Sequence, residues 1–371
     1  KEKIAEQKRK RFSALAESDW KKIFAPQGKP GNQFCAICQA PLGEEEGELI
    51  NKETDSPEKR CPVCATFEVL AGDIRKANFE ICCKQKSSDD LLWQEILFEL
   101  SGFNYSYSEN LPKKELGSMV LAINKPDFNP KEVDGFKFIA NKTPVVTKYD
   151  ISAWHEDQDP EEKKPKQGDI RTFDQLAKAS KGLTRLGILR MDVDNLGQVM
   201  VSGLANRNIL TISCLSRTLD WFFEGWLNFI CSKVEQQSSM NGNSERLYII
   251  YAGGDDLFII GSWDLIPDLS NEIQTDFRKY SGHNASLTLS AGIVLIPSKY
   301  PLYQAARDAG DAEELSKEFI IDPAIKAPDK NAFTFLGQTF SWDEYQKIAE
   351  FHADILEIVE RESNSIIRIL L

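Results

Sequence analysis

From residue 185 onward, apolar positions fall into short runs separated by longer stretches of helical spacing. RLGILRMDV, at 185–193, reads as a buried strand. Residues 211–234 carry Leu215, Leu219, Phe222, Phe223, Trp226, Phe229 and Ile230 at helical intervals and predict a helix. LYIIYA (247–252) and LFIIG (257–261) are two strands around GGDD, whose glycines permit a tight hairpin turn. A helix over 265–280, a strand over 286–296, a helix over 301–318 and a strand over 332–336 follow. The expected order is β-α-β-β-α-β-α-β, and its first six elements have the ferredoxin-like order.

That order predicts an α+β fold, a ferredoxin-like domain of the kind found as the palm of nucleotide polymerases and cyclases, over residues 169–340. Upstream the pattern is weaker. Residues 1–33 read as an N-terminal helical segment, 34–82 as a small cysteine-bearing insert, and 83–168 as an α/β connecting region. Within the last, LLWQEILFELS (91–101) is helical, and runs such as MVLAI and FKFIA mark short strands. The charged EDQDPEEKKPKQG at 156–168 predicts the clearest domain boundary. Residues 341–371 read as the start of a C-terminal helical domain.

Composition narrows the function. With 45 Lys plus Arg against 57 Asp plus Glu, the net charge of −12 argues against coating nucleic acid by bulk charge, though not against a local basic groove. The three histidines, His155, His283 and His352, stand far apart and form no HExxH or His-Asp pair, so a histidine metal site or HD-type nuclease has no place in this chain. No run of about 18 apolar residues predicts a membrane span. KEKIAEQKRKR reads as a charged helix start rather than a signal peptide, and IIRILL stops inside an apolar helical pattern, so the sequence reads as part of a longer chain. A cytoplasmic location is expected.

The main chemical signal is acidic. Asp192 lies near the end of one apolar strand in MDVDNLG, and Asp255 and Asp256 lie in GGDD. A carboxylate at the end of a buried strand must be solvated, paired or metal-bound. In a β-α-β-β arrangement the first strand and the hairpin are neighbours, which gathers the three acids. Hard oxygen donors then select Mg²⁺ or Mn²⁺, and a two-metal site suits attack of a 3′-hydroxyl on a nucleoside triphosphate. Gly253 and Gly254 let the backbone approach phosphates closely. Asp194 either shares the site or caps the next turn, and Asn195 either contacts ribose or shapes the turn. A lone GGDD is also a common polar hairpin tip; the strand-end acid some sixty residues earlier favours the metal reading.

Cys35, Cys38, Cys61 and Cys64 form two CxxC knuckles around a polar loop. Four thiolates at this spacing wrap one tetrahedral Zn²⁺, closed and therefore structural. Cys82, Cys83, Cys214 and Cys231 read as small buried hydrophobes.

The segments GLTRLGILRMDVDNLGQVMVSGL, LSRTLDWFF, YIIYAGGDDLFIIGSWDLI, LTLSAGIVLIPSKYP and KNAFTFLGQTFSWDEY match, in order and spacing, the large palm subunit of type III CRISPR effector complexes. The Csm-type large subunit is the nearest form, and FIANKTPVV, FDQLAKASKG and the double CxxC also resemble it, so that the likeness runs from about residue 34 to 350. The resemblance implies an RNA-guided antiviral complex whose GGDD palm converts ATP to cyclic oligoadenylate when target RNA is bound. It implies guide RNA, target RNA and other complex subunits as partners, and no membrane. Asp255 and Asp256 match the metal carboxylates of GGDD, and Asp192 the acid of the first motif. Ser290 is a base-pocket candidate by this resemblance and equally a core-facing strand serine; Lys330 and Lys317 are triphosphate candidates, with solvation the stronger expectation for Lys317. The sequence departs from the family in DPAIKAPDKN, where the family helix runs more directly into KN, and neither the HD nuclease domain nor the first palm is visible in it: either they lie outside the sequence shown or this branch has lost or separated them. Two other readings stand beside this one: a scaffold subunit with little chemistry, and a diguanylate-cyclase relative. The latter ranks lower because Asp256 replaces the usual Glu and no RxxD precedes GGDD.

Overall fold

The computed structural model describes residues 34–42, 48–49, 59–87, 89–153, 164–238, 245–320 and 330–362. The expected N-terminal helical segment 1–33, most of the charged linker and the 322–329 part of the insertion lie outside them. The chain forms two compact units, Lys1–Val120 and Leu121–Leu371. The division thus falls well before the charged stretch at 156–168 that was expected to mark it.

In the first unit, β1 (Glu48–Leu49) pairs antiparallel with β2 (Lys59–Arg60). Helix α1 (Pro62–Lys76) starts on Cys61, whose side chain accepts from the Cys64 amide, with proline at the first turn where its missing N–H costs nothing. Strand β3 (Phe79–Cys83) pairs with β4 (Asn104–Ser108). Between them α2 (Leu92–Ser101) stops at Gly102, left-handed at φ 73°, and buries Trp93. Strand β5 spans Ser118–Ile123.

In the second unit, Leu121–Ile123 runs parallel to β6 (Gly135–Lys137). After the short helices α3 (Lys148–Ala153) and α4 (Phe173–Lys178) comes β7 (Leu186–Val193). Helix α5 (Ile209–Asp220) passes through a π-helical segment, Trp221–Trp226, into α6 (Leu227–Ser238). Then follow β8 (Leu247–Gly253), β9 (Asp256–Ser262), α7 (Ile266–Tyr280), β10 (Leu289–Ile296), α8 (Leu302–Lys317) and β11 (Ala332–Phe335). The expected order holds, with one addition. Strand β12 (Gln338–Ser341) folds back antiparallel on β11 before α9 (Trp342–Glu362) begins. Leu336 and Gly337, at φ 51° and 75°, make that two-residue turn. A leucine in the left-handed region is a poor turn signal, so the hairpin was not legible.

The sheet order is β12-β11-β10-β7-β9-β8, which contains the ferredoxin-like arrangement with β7 and β9 at its centre. Alternation along the strands divides two cores. Leu189, Met191 and Val193 join Phe222, Phe223, Leu227, Ile230, Ile273 and Phe277 on one face. Leu186 and Ile188 join Phe258, Ile260, Ala305 and Ala309 on the other. The same period puts Arg190, Asp192 and Asp256 on the α8 face.

Helix α8 lies unusually close to that face. A Cβ at Gly292 would sit 2.2 Å from the Ala309 carbonyl and 2.4 Å from the Glu313 amide, both backbone atoms. Gly292→Ala must therefore displace α8 as a body. It should cost about 1–3 kcal/mol, as overpacking does, and denaturant unfolding checks this; an unchanged midpoint would show that α8 is not held so near.

Candidate carboxylate site and cysteine cluster

The hairpin closes with Gly253 opposite Asp256, leaving Gly254 and Asp255 as the turn. Gly254 has φ 66°, which glycine adopts freely. Asp192 is the direct cross-strand partner of Asp256, and the Val193 amide donates 2.9 Å to the Asp255 carbonyl. The three sequence-predicted acids therefore stand at the same end of the central strand pair. Burial, reinforced by Asp192 and Asp256, pushes the Asp255 carboxyl above the usual carboxylate range.

Their present partners are protein groups. Lys317, on α8, donates to Asp192 and, at 2.7 Å, to Glu313. Lys317 is thus a paired lysine, not the solvated one expected. Although burial opposes it, the two carboxylates hold its ammonium above the ordinary lysine range. Glu313, 5% exposed, also meets Arg190 at 3.0 Å; burial pushes its carboxyl up. The Tyr251 hydroxyl donates to Asp256, and burial followed by that bond raises its pKa. Tyr251, Glu313 and Arg190 escaped sequence reading. The available signals were strand period for Arg190 and the i, i+4 spacing of Glu313 and Lys317.

Asp194 does not share this site. It is fully buried and accepts from Thr288 Oγ1 (2.7 Å), Ser290 Oγ (2.8 Å) and the Asn331 amide (3.1 Å). Ser290 is itself fully buried with its hydroxyl spent on Asp194, which places it in the core rather than against a base. Lys330 Nζ donates 2.8 Å to Asn195 Oδ1, so these two candidates stand together. On the other side of the turn, the Gly254 amide donates 3.3 Å to Asp220 Oδ1.

The four cysteines converge. The Sγ atoms of Cys35, Cys38, Cys61 and Cys64 lie within 4.8 Å of one another, and among the described residues this is the one such group of potential metal ligands. The Cys38 and Cys61 sulfurs are 3.7 Å apart. Tetrahedral zinc with Zn–S bonds of about 2.3 Å requires sulfurs about 3.8 Å apart, so the donor set fits. The Cys38 amide, ahead of the Cys61 and Ile37 amides, lowers the Cys35 thiol to about 6, while hydrogen bonding to Cys61 pushes Cys64 up to about 12. Cys82 and Cys231 are buried as expected, whereas Cys214 is exposed and Cys83 half-buried. We expect one zinc per chain by elemental analysis and none in a Cys35→Ser/Cys38→Ser variant; retention in that variant would remove the assignment.

Residues 185–326 match the family model described as Cas10/Cmr2, second palm domain. Over these residues the chain is similar to that second palm domain. The chain is 29% identical over 366 residues, 92% of its length, to the Cas10/Csm1 single-strand-specific deoxyribonuclease (subtype III-A) of Methanocaldococcus jannaschii, and spans 43% of that protein. It is 35% identical over 183 residues to the Mycobacterium tuberculosis Cas10/Csm1, covering 46% of this chain and 21% of the other. The Csm1–Csm4 subcomplex of the type III-A CRISPR-Csm interference complex has a similar fold, with a TM-score of 0.50 at 23% identity, covering 77% of this chain and 38% of that one. The chain thus spans less than half of the Cas10/Csm1 relatives it matches. No described helix of this chain is long and apolar enough to cross a membrane.

Proposed function

We propose that this chain is the palm-bearing part of a type III-A Cas10/Csm1 large subunit and joins ATP molecules into cyclic oligoadenylate when its complex, carrying guide RNA, binds target RNA. The observation that carries the reading is the direct opposition of Asp192 and Asp256 across the β7–β9 pair, with Asp255 in the adjoining turn. Their oxygen donors suit Mg²⁺ or Mn²⁺, and such ions, when bound, supply Lewis-acid stabilisation of the attacking and leaving oxygens. The chain's own groups prepare the ground. Lys317 holds Asp192, and Tyr251 holds Asp256. Lys317 is then a cation able to pass from Asp192 to a phosphate, its position fixed by Glu313. Lys330 and Asn195 form a second polar group beyond the strand end. The proposed cysteine-held zinc is structural and remote in role.

A scaffold role is the second reading, and one observation favours it: Asp192 and Asp256 already have protein partners. The deciding experiment incubates the assembled complex with guide RNA, Mg²⁺ and ATP, with and without matching target RNA, and identifies products by mass spectrometry. Cyclic oligoadenylate only with target is the expected result. Absence of nucleotidyl transfer under all conditions would leave the scaffold.

A further inference from the structure

One cavity of the palm unit is lined by none of Asp192, Asp255 and Asp256. It encloses about 560 Å³ and is lined by Phe128, Phe136, Phe138, Trp221, two acids, Asp220 and Glu224, and two cations, Lys137 and Arg217. Several features mark it as built rather than incidental. Trp221 and Glu224 belong to the π-helical segment, and interruptions of this kind concentrate at functional sites. Gly225 in the same segment lets the Phe138 ring lie against the helix, since a Cβ there would stand 2.7 Å from it. Trp221 is 53% exposed, an open aromatic surface of a size that folding normally covers. Burial, and then Asp220, pushes the Glu224 carboxyl above its ordinary range.

We propose that this cavity binds a nucleobase bearing an exocyclic amine, with its phosphate held by Arg217. Flat rings offer stacking faces to any base. Asp220 and Glu224 accept hydrogen bonds and donate none when ionised, so they select amino-bearing adenine or cytosine edges over uracil. Exposed Arg217 supplies the positive charge a phosphate needs. The ligand is either a free nucleotide or one unpaired nucleotide of an RNA strand; the chemistry is the same.

The cavity also touches the catalytic turn. Asp220 accepts from the Gly254 amide, and a Cβ at Gly253 would stand 3.5 Å from Glu224 Oε1. An occupant that draws Asp220 or Glu224 toward itself changes what holds the turn carrying Asp255. This consequence rests on the nucleotidyltransferase reading; the binding does not.

The test is calorimetric titration of the full chain, without divalent metal, in the Asp255→Ala/Asp256→Ala background. The probes are AMP, CMP and UMP, and the short oligomers of A and of U. AMP or oligo-A should bind, with UMP and oligo-U at least about tenfold weaker, the scale of losing one hydrogen bond to a charged group. Trp221→Ala and Glu224→Gln should each weaken the binding by a similar factor; the first is exposed and the second keeps its shape, so both should fold. Binding of AMP assigns the free nucleotide, and binding of oligo-A alone assigns the RNA strand. Equal affinity for the U probes, no binding by any probe, or binding unmoved by both cavity variants would overturn the proposal.

Discussion

Asp255→Ala/Asp256→Ala should abolish cyclic oligoadenylate synthesis while the complex still assembles and binds RNA. The loss should be at least about a thousandfold, because removing the ligands of a Lewis-acid site forfeits several kcal/mol of charge stabilisation. Stability should hardly fall. Asp255 sits in a turn where burial and two neighbouring acids disfavour its ionised form, so its native pKa is raised. A group with a raised native acid pKa opposes folding above its ordinary pKa, and truncating it relieves that opposition at neutral pH. Asp256 gives up only its bond from Tyr251, a residue that is 42% exposed. The measurement is product analysis beside a thermal melt. Unchanged synthesis sinks the metal assignment. Lost synthesis with a collapsed melt would show that the acids are architectural.

The comparison of Asp192 with Asp194 shows how far sequence reading reaches. Both stand at the end of β7, two residues apart, and period two alone assigns them to the same side. The strand ends at Val193, however, so the alternation lapses before Asp194. Its side chain turns inward, where Thr288, Ser290 and Asn331 converge on it. The strand order and the β7–β9 neighbourhood, with Asp192 opposite Asp256, were legible because they follow from local periodicity and one tight turn. What was not legible depends on tertiary approach. Lys317 could be paired only once α8 was known to lie on Gly292, and Ser290 could be placed only once Asp194 was known to need donors. The Leu336–Gly337 turn escaped for a third reason: its backbone contradicts the preference of its own leucine.

Asp194→Ala should therefore be the most damaging single acid substitution for stability, whereas Asp192→Ala should be among the mildest. Asp194 is fully buried, and its removal strands three donors from two segments of the chain: Thr288 and Ser290 at the start of β10, and the Asn331 amide before β11. Stranding the fully buried Ser290 hydroxyl costs about 1–3 kcal/mol, and the half-buried Thr288 and Asn331 donors add less each, so the total is about 3 kcal/mol. For a unit of this size that corresponds to a fall in melting temperature of about 10 °C. Asn331, at φ 49°, would also lose the bond that holds it in a left-handed conformation, and with it the placing of Lys330 against Asn195. Asp194→Asn tests the mechanism rather than the bulk. Its amide carbonyl can serve one or two of the three donors, so it should recover part of the stability. Asp192, by contrast, is partly exposed, and its replacement releases Lys317 to solvent and to Glu313. Equal melting temperatures for Asp192→Ala and Asp194→Ala would show that the carboxylate two residues beyond the site does not pin the sheet together.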